Sequence, residues 1–274
     1  MCSPQDLYLD LVAGCLTRTL HAERYRPVTP LHGTWRRLAH APIRGILATA
    51  GLEVVRPISI DPNARAVGRD QPPEAETMIG LQRLDNLRRC VLSVLRDHVP
   101  GDLIETGVWR GGATIFMRAV LKAYGDSERL VWVADSFRGL PPPDEEAYPA
   151  DVGDTFWKRH DLAVSLEEVK ANFDRYGLLD GQVRFLPGWF RDTLPTAAIE
   201  RLAVLRLDGD LYQSTMEALE SLYPKLSIGG YVIVDDYGAV PACKAAVEDF
   251  RERRGVTEKL EHVDWTGVFW QRAH

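Results

Sequence analysis

At 274 residues, with 45% hydrophobic and 26% charged residues, the chain has the make-up of an ordinary soluble globular protein. A formal net charge of -6 offers no basic footprint for nucleic acid or an anionic membrane, and no run approaches the roughly 20 apolar residues that span a bilayer. Four scattered cysteines without Cys-x-x-Cys spacing and seven histidines without His-x-x-x-His pairing argue against a zinc site and a disulfide framework. With no basic leader at its start, the chain is expected in the cytoplasm.

The first predicted element covers residues 5–21, where Leu7, Leu11, Leu16 and Leu20 recur at near-helical spacing. Residues 22–74 then become rich in proline and arginine, with short helices expected around Thr34–His40 and Gly45–Gly51. The first 75 residues therefore read as an extension that packs on the core or on a second subunit, or shapes a substrate pocket. A long helix is expected from Thr77 to Val99, stopped by Pro100 and Gly101, with Ile79, Leu84, Leu87, Val91, Leu95 and Val99 facing a sheet.

From there strands and helices alternate. Asp102–Glu105 reads as a strand, the turn after it carries Gly107, Gly111 and Gly112, and Ala113–Tyr124 reads as a helix. Arg129–Ala134 is a strand ending at Asp135. Residues 137–164 are irregular and rich in proline and acids, the composition of a lid. Ser165–Tyr176 opens with a capping box, Ser165 followed by Glu168. Val183–Leu186 and Ala203–Leu207 are strands, Tyr212–Leu226 a helix, Gly230–Val234 a strand and Pro241–Arg254 a helix. Lys259–Val263 and Gly267–Gln271 close the chain as strands, one of them antiparallel. The alternation implies an α/β fold with a mostly parallel sheet covered on both faces.

In such sheets ligands bind beyond the carboxyl ends of the strands. Here those ends deliver acids to one edge: Glu105-Thr106-Gly107, Asp135-Ser136, Asp208-Gly209-Asp210 and Asp235-Asp236-Tyr237. The turn spacing, Glu-x-Gly-x-x-x-Gly-Gly, is not that of a diphosphate cradle, and Glu105 would repel phosphate while suiting an amine or a hydroxyl. Asp135 is placed like the acid that grips ribose hydroxyls. A nucleoside with an amino-acid tail, S-adenosylmethionine, fits both. Asp208, Asp235 and Asp236 converge at neighbouring strand ends, an arrangement that is costly unless a cation neutralises it, and hard oxygen donors favour magnesium or calcium. Asp210 is then a candidate general base. A dinucleotide-dependent sugar oxidoreductase or epimerase is disfavoured by the glycine spacing and by the lack of a Tyr-x-x-x-Lys pair in a suitable helix. A non-catalytic ligand-binding module would have no need of four clustered acids.

The segments ETGVWRGG, VWVADSF, RYGLLDGQVRFLPGWF, RLAVLRLDGD and VIVDDY, in this order, resemble the macrocin O-methyltransferase family, S-adenosylmethionine- and magnesium-dependent enzymes that methylate sugar hydroxyls on macrolides and related natural products. The likeness runs from Thr77 to the C-terminus. It implies a class I methyltransferase (Rossmann-like) sheet with an antiparallel last strand over residues 76–274. It also implies cofactor contacts from Glu105, Thr106, Gly107, Val108, Trp109, Asp135, Ser136, Gly188 and Trp189, with Thr77 and Met78 closing over the cofactor. Asp208 would touch both the cofactor and magnesium, Asp235 and Asp236 would complete the metal site, and Asp210 would be the base. The family implies a homodimer or higher homo-oligomer. In the lid, Trp157, Lys158, Arg159 and His160 form a basic cluster that would suit an anionic acceptor such as a nucleotide-activated deoxysugar.

Overall fold

The computed structural model describes residues 3–21, 25–28, 45–57, 59, 61–70 and 72–274. The helix expected at Thr34–His40 lies outside them, while residues 45–49 are helical. Two strands, β1 (Tyr25–Pro27) and β2 (Val55–Pro57), pair antiparallel as a separate ribbon.

Seven strands make the main sheet: β3 (Asp102–Thr106), β4 (Val131–Asp135), β5 (Val183–Pro187), β6 (Leu202–Leu207), β7 (Leu226–Val234), β8 (Glu261–His262) and β9 (Val268–Gln271). Their order is β5-β4-β3-β6-β7-β9-β8. The first five run parallel, and β9 is antiparallel to both β7 and β8. This is the expected sheet with its antiparallel closing strand.

Alternation along the strands sends side chains into two separate cores. Leu103, Val131, Val133 and Ile233 face helices α1 (Pro4–Leu16), α3 (Leu81–Arg96), α4 (Gly112–Ala123) and α5 (Leu166–Arg175). Ile104, Trp132, Ala134, Leu205, Leu207, Val232 and Val234 face α7 (Tyr212–Leu222) and α8 (Pro241–Arg254). Helix α1 lies within the first of these cores, where Leu9 and Leu16 are fully buried. A short helix α2 (Pro62–Ala66) precedes α3, and α6 (Phe190–Thr193) follows β5. No helix among the described residues is long and apolar enough to cross a membrane.

Several boundaries differ from expectation, each for a local reason. The helix expected from Thr77 begins at Leu81, because Arg65 of α2 donates to the carbonyls of Met78 (2.8 Å) and Ile79 (2.5 Å) and holds residues 77–80 as a loop. Helix α1 stops at Leu16, where Arg18 turns left-handed (φ 57) and Leu20 N–H returns to the Gly14 carbonyl. Helix α7 stops at Leu222 because Pro224 cannot continue it, and β7 takes up the chain from Leu226. The strand expected at Lys259–Val263 shortens to Glu261–His262. Ser165 caps α5, its hydroxyl accepting from Glu168 N–H at 3.1 Å, which is the serine half of the expected capping box.

The chain builds β3, β4 and β5 to one side, then crosses to lay down β6 and β7 on the other, so the order reverses between β3 and β6. At that point the backbones close up: Asp208 N–H donates to Thr106 O and Gly107 N–H to Ala134 O, both at 2.9 Å. Gly107 sits at φ 83, and a Cβ there would meet the Asp208 carbonyl oxygen at 1.8 Å. Backbone cannot step aside as a side chain can. Gly107→Ala is therefore expected to cost about 2–5 kcal/mol, from a left-handed penalty of ~1–2 and overpacking of ~1–3. Urea denaturation would read this as a lower midpoint.

Candidate active site

Beyond the carboxyl ends of the parallel strands lies a cleft of about 780 Å³, partly open to solvent. Nine of the expected residues line it: Met78, Gly107, Trp109, Asp135, Ser136, Gly188, Trp189, Asp208 and Asp210. The rest of the wall comes from the lid (Gly139, Leu140, Pro141 and Leu162), from α6, from Gly209, and from Gln213, Ser214 and Glu217 of α7.

The turn after β3 is tied down by Asp135. Its carboxylate accepts the N–H groups of Val108 (2.8 Å) and Phe137 (2.7 Å), with Trp109 N–H contributing as well. Burial raises the pKa of Asp135, and these donors work against that rise. Asp135 was expected to face ribose hydroxyls; it lines the cleft and at the same time anchors the glycine turn. Trp109 (φ 49) and Phe137 (φ 56) hold left-handed backbone at either side of it. Backbone strain of this kind concentrates at functional sites. Gly188, at φ 141, donates to the Asp135 carbonyl at 2.9 Å and so joins the ends of β4 and β5.

Thr77, Glu105, Thr106 and Val108 do not line the cleft; all four are buried. Glu105 was expected to contact the cofactor, its carboxylate suiting an amine or a hydroxyl. In the structure that carboxylate accepts from Thr114 Oγ1 at 2.5 Å and pairs with Arg206. The reason is strand alternation: Glu105 points, like Leu103, toward the helices on the first face of the sheet. Burial pushes its pKa up to about 7, against the pull of Arg206.

Asp208, Asp235 and Asp236 do converge, with one oxygen of each within 4.8 Å of the others. Sequence reasoning missed the cations that already stand among them. Arg206, 1% exposed, pairs with Glu105, Asp208 and Asp235, linking the ends of β3, β6 and β7. Arg83 of α3 pairs with Asp235 and, at 3.0 Å, with Asp264. The visible signal for Arg206 was a lone charge between Leu205 and Leu207 in an otherwise apolar buried strand. Nothing comparable marks Arg83, whose partners come from distant parts of the chain.

These two guanidinium groups do not balance the cluster. Four carboxylates (Glu105, Asp208, Asp235 and Asp264) pair with them and Asp236 lies in the field of Arg83, leaving three negative charges uncompensated if all ionise, while Asp210 beside them feels Arg159 of the lid. The pKa directions register this deficit. Burial, followed by Asp210, Asp208 and Asp235, drives Asp236 well above the carboxylate range. Burial, Asp208 and Asp235 push Asp210 up to about 7. Burial and Asp235 raise Asp208, opposed by Arg206. Burial disfavours the charge on Arg206 itself, but the field of Asp235, Asp208 and Glu105 outweighs it and holds that pKa well above its ordinary value.

Asp210 occupies a tight turn with left-handed backbone (φ 57), its N–H directed at Asp236 Oδ2 at 3.3 Å. The lid reaches over it through three short 3-10 turns, Pro149–Asp151, Phe156–Lys158 and His160–Leu162, within the segment expected to be irregular. Part of the basic cluster there is engaged, and the charge of Arg159 also reaches Asp210. Arg159 pairs with Asp161 at 2.5 Å, and Lys158 lies 5.0 Å above the Trp157 ring. Trp109 Nε1 donates to the Asp161 carbonyl at 2.8 Å, fastening the lid to the glycine turn.

Known proteins resemble this chain over most of its length. The profile of the macrocin-O-methyltransferase family matches residues 5–272. A Streptomyces olivaceus protein named 8-demethyl-8-(2,3-dimethoxy-alpha-L-rhamnosyl)-tetracenomycin-C 4'-O-methyltransferase is 51% identical over 98% of this chain and 94% of its own. The demethyldecarbamoylnovobiocin O-methyltransferase of Streptomyces niveus is 57% identical over 76% of this chain and 80% of its own. The solved structure of the O-methyltransferase NovP superposes with a TM-score of 0.84 at 48% identity, covering 98% of this chain and all of that one.

Proposed function

The chain belongs to the macrocin-O-methyltransferase family, and from that premise we propose that it is a magnesium-dependent enzyme that moves the methyl group of S-adenosylmethionine onto a deoxysugar hydroxyl of a glycosylated natural product. The fold is the class I S-adenosylmethionine-dependent methyltransferase fold. The observation that carries the reading is the placement of Asp210 and Asp208 in the wall of the same cleft as Gly107, Asp135 and Trp189, with Asp235 and Asp236 gathered behind them.

The donor set suits a hard dication: three carboxylates close together, no nitrogen or sulfur donor among them, and a net negative charge that burial makes costly. Asp208, Asp235 and Asp236 would hold the ion. Bound there, it would make a sugar hydroxyl more acidic. The chain's own residues do the rest. The turn at residues 107–109, with Asp135, Ser136, Gly188 and Trp189, orients the methyl donor. Asp210, raised to about 7, accepts the hydroxyl proton as the oxygen attacks the methyl carbon in line with the departing sulfur. The lid keeps water out of the cleft.

Two observations favour a glycosylated acceptor over a nucleotide-activated sugar. Arg159 is paired with Asp161 within the lid, and both relatives above carry the names of glycosylated natural products or close derivatives. Residues 1–75 serve in this reading as an extension for oligomer and pocket contacts. A homodimer is supported by Leu7, Leu11 and Leu20, each about half exposed beside a groove along α1. The three described cysteines are free thiols, consistent with a reducing cytoplasm.

The test is methyl transfer to a rhamnosylated aromatic acceptor before chelation, after EDTA and dialysis, and after magnesium is restored. Activity is expected to vanish and return. Undiminished turnover in thorough chelation would refute the metal's role, and turnover of nucleoside-diphosphate deoxysugars alone would refute the acceptor class.

A further inference from the structure

Helix α7 begins directly after the turn that carries Asp208 and Asp210, yet its own N-cap residue is Leu211, which has no side-chain oxygen to offer the first-turn N–H groups. The missing acceptor comes from the lid. Asp151, 61 residues earlier and 1% exposed, accepts Tyr212 N–H through Oδ1 at 2.7 Å and Gln213 N–H through Oδ2 at 3.0 Å. Both carboxylate oxygens are spent on the helix end. Around this contact Tyr148 packs on Tyr212 with ring centroids 6.1 Å apart, and Asp151 N–H closes a lid turn onto the Tyr148 carbonyl.

The turn that this cap borders is a tight one. Leu211 N–H donates back to Gly209 O at 2.6 Å while Asp210 sits left-handed between them. Such a conformation persists only where its surroundings over-determine it, and on the helix side Asp151 is the group that fixes where the chain enters α7. At its other end the same lid holds Trp109 of the cofactor turn through the Asp161 carbonyl. The lid thus spans from the base-bearing turn to the cofactor turn.

We propose that Asp151 is a positioning residue: by capping α7 from the lid it makes lid docking and the presentation of Asp210 a single event. The inference rests on the reading of Asp210 as the base. A lid that docks through this carboxylate both covers the cleft and sets the base in place, so that Asp210 is held for proton transfer only when water is excluded.

The experiment compares Asp151→Ala and Asp151→Asn with Asp210→Asn and with the combination of Asp151→Asn and Asp210→Asn. The Asp151→Asn change keeps one acceptor oxygen in an isosteric side chain, which secures the test should the alanine variant not fold. Each is assayed for kcat, for KM of both substrates, for melting temperature and for the rate of limited proteolysis within residues 137–164. A fall in kcat of about tenfold to a hundredfold is expected for Asp151→Asn. KM for S-adenosylmethionine should change little, and the lid should be cut faster. The combined variant should be no slower than Asp210→Asn alone, because Asp151 acts through Asp210. Wild-type kcat in Asp151→Asn, or losses that multiply in the combined variant, would overturn the proposal. If Asp210→Asn itself turns over at the parent rate, the assignment of the base fails instead, which separates the two failures.

Discussion

Replacing Asp210 by asparagine is expected to lower kcat by about two to four orders of magnitude, the range that general-base catalysis contributes. Asparagine fills the same space and tolerates left-handed backbone better than most residues, so the turn at φ 57 survives the change. What is lost is the ability to take a proton. S-adenosylhomocysteine affinity, measured by calorimetry, should stay near the parent value, because the 107–109 turn and Asp135 are untouched. A fall in kcat with unchanged cofactor affinity is the signature of an interaction used in the transition state alone. Weakened cofactor binding with kcat preserved would assign Asp210 to binding instead.

The second large effect is on stability. Arg206→Met should destabilise the fold by about 3–5 kcal/mol, the cost of stripping a buried ionic cluster of one partner. Among the described residues, Arg206 is the one side chain that pairs with Glu105, Asp208 and Asp235 together, and its removal leaves three carboxylates on adjacent strands without that shared counter-charge. Adding Glu105→Gln should recover part of the loss, since it removes one of the stranded charges and keeps the hydrogen bond from Thr114. Urea titration of the parent, the single variant and the double variant measures both quantities. An Arg206→Met protein as stable as the parent would mean that the acids around it pair elsewhere.

The sheet and its acid-bearing edge were legible in the chain because they rest on local pattern. Val131–Asp135 and Leu202–Leu207 are apolar runs that end in or run into an acid, and the strand-helix alternation dictates where those ends gather. What could not be read is what distant segments do to one another. The helix expected from Thr77 starts four residues later, at Leu81, because of Arg65 in α2. The acids were expected to need an external cation, whereas Arg206 and Arg83 supply part of the charge from inside the fold. Asp151 looked like one more acid in a proline-rich loop, and its meaning depends on a helix end 61 residues away. The end of α7 is a different case: Pro224 was there to be used. Strand alternation also turns Glu105 toward Thr114 and Arg206, contacts that its place at the end of an apolar run does not reveal.

The claim at the centre of this account is that the cleft and the acid cluster together methylate a sugar oxygen. Tandem mass spectrometry of the product formed from S-adenosylmethionine and a rhamnosylated acceptor tests it most directly. One added methyl group is expected on a fragment ion of the sugar, absent when Asp210→Asn replaces the parent enzyme. A methyl group found on the aglycone, or an acceptor left unmodified across glycosides while S-adenosylmethionine binds, would contradict it.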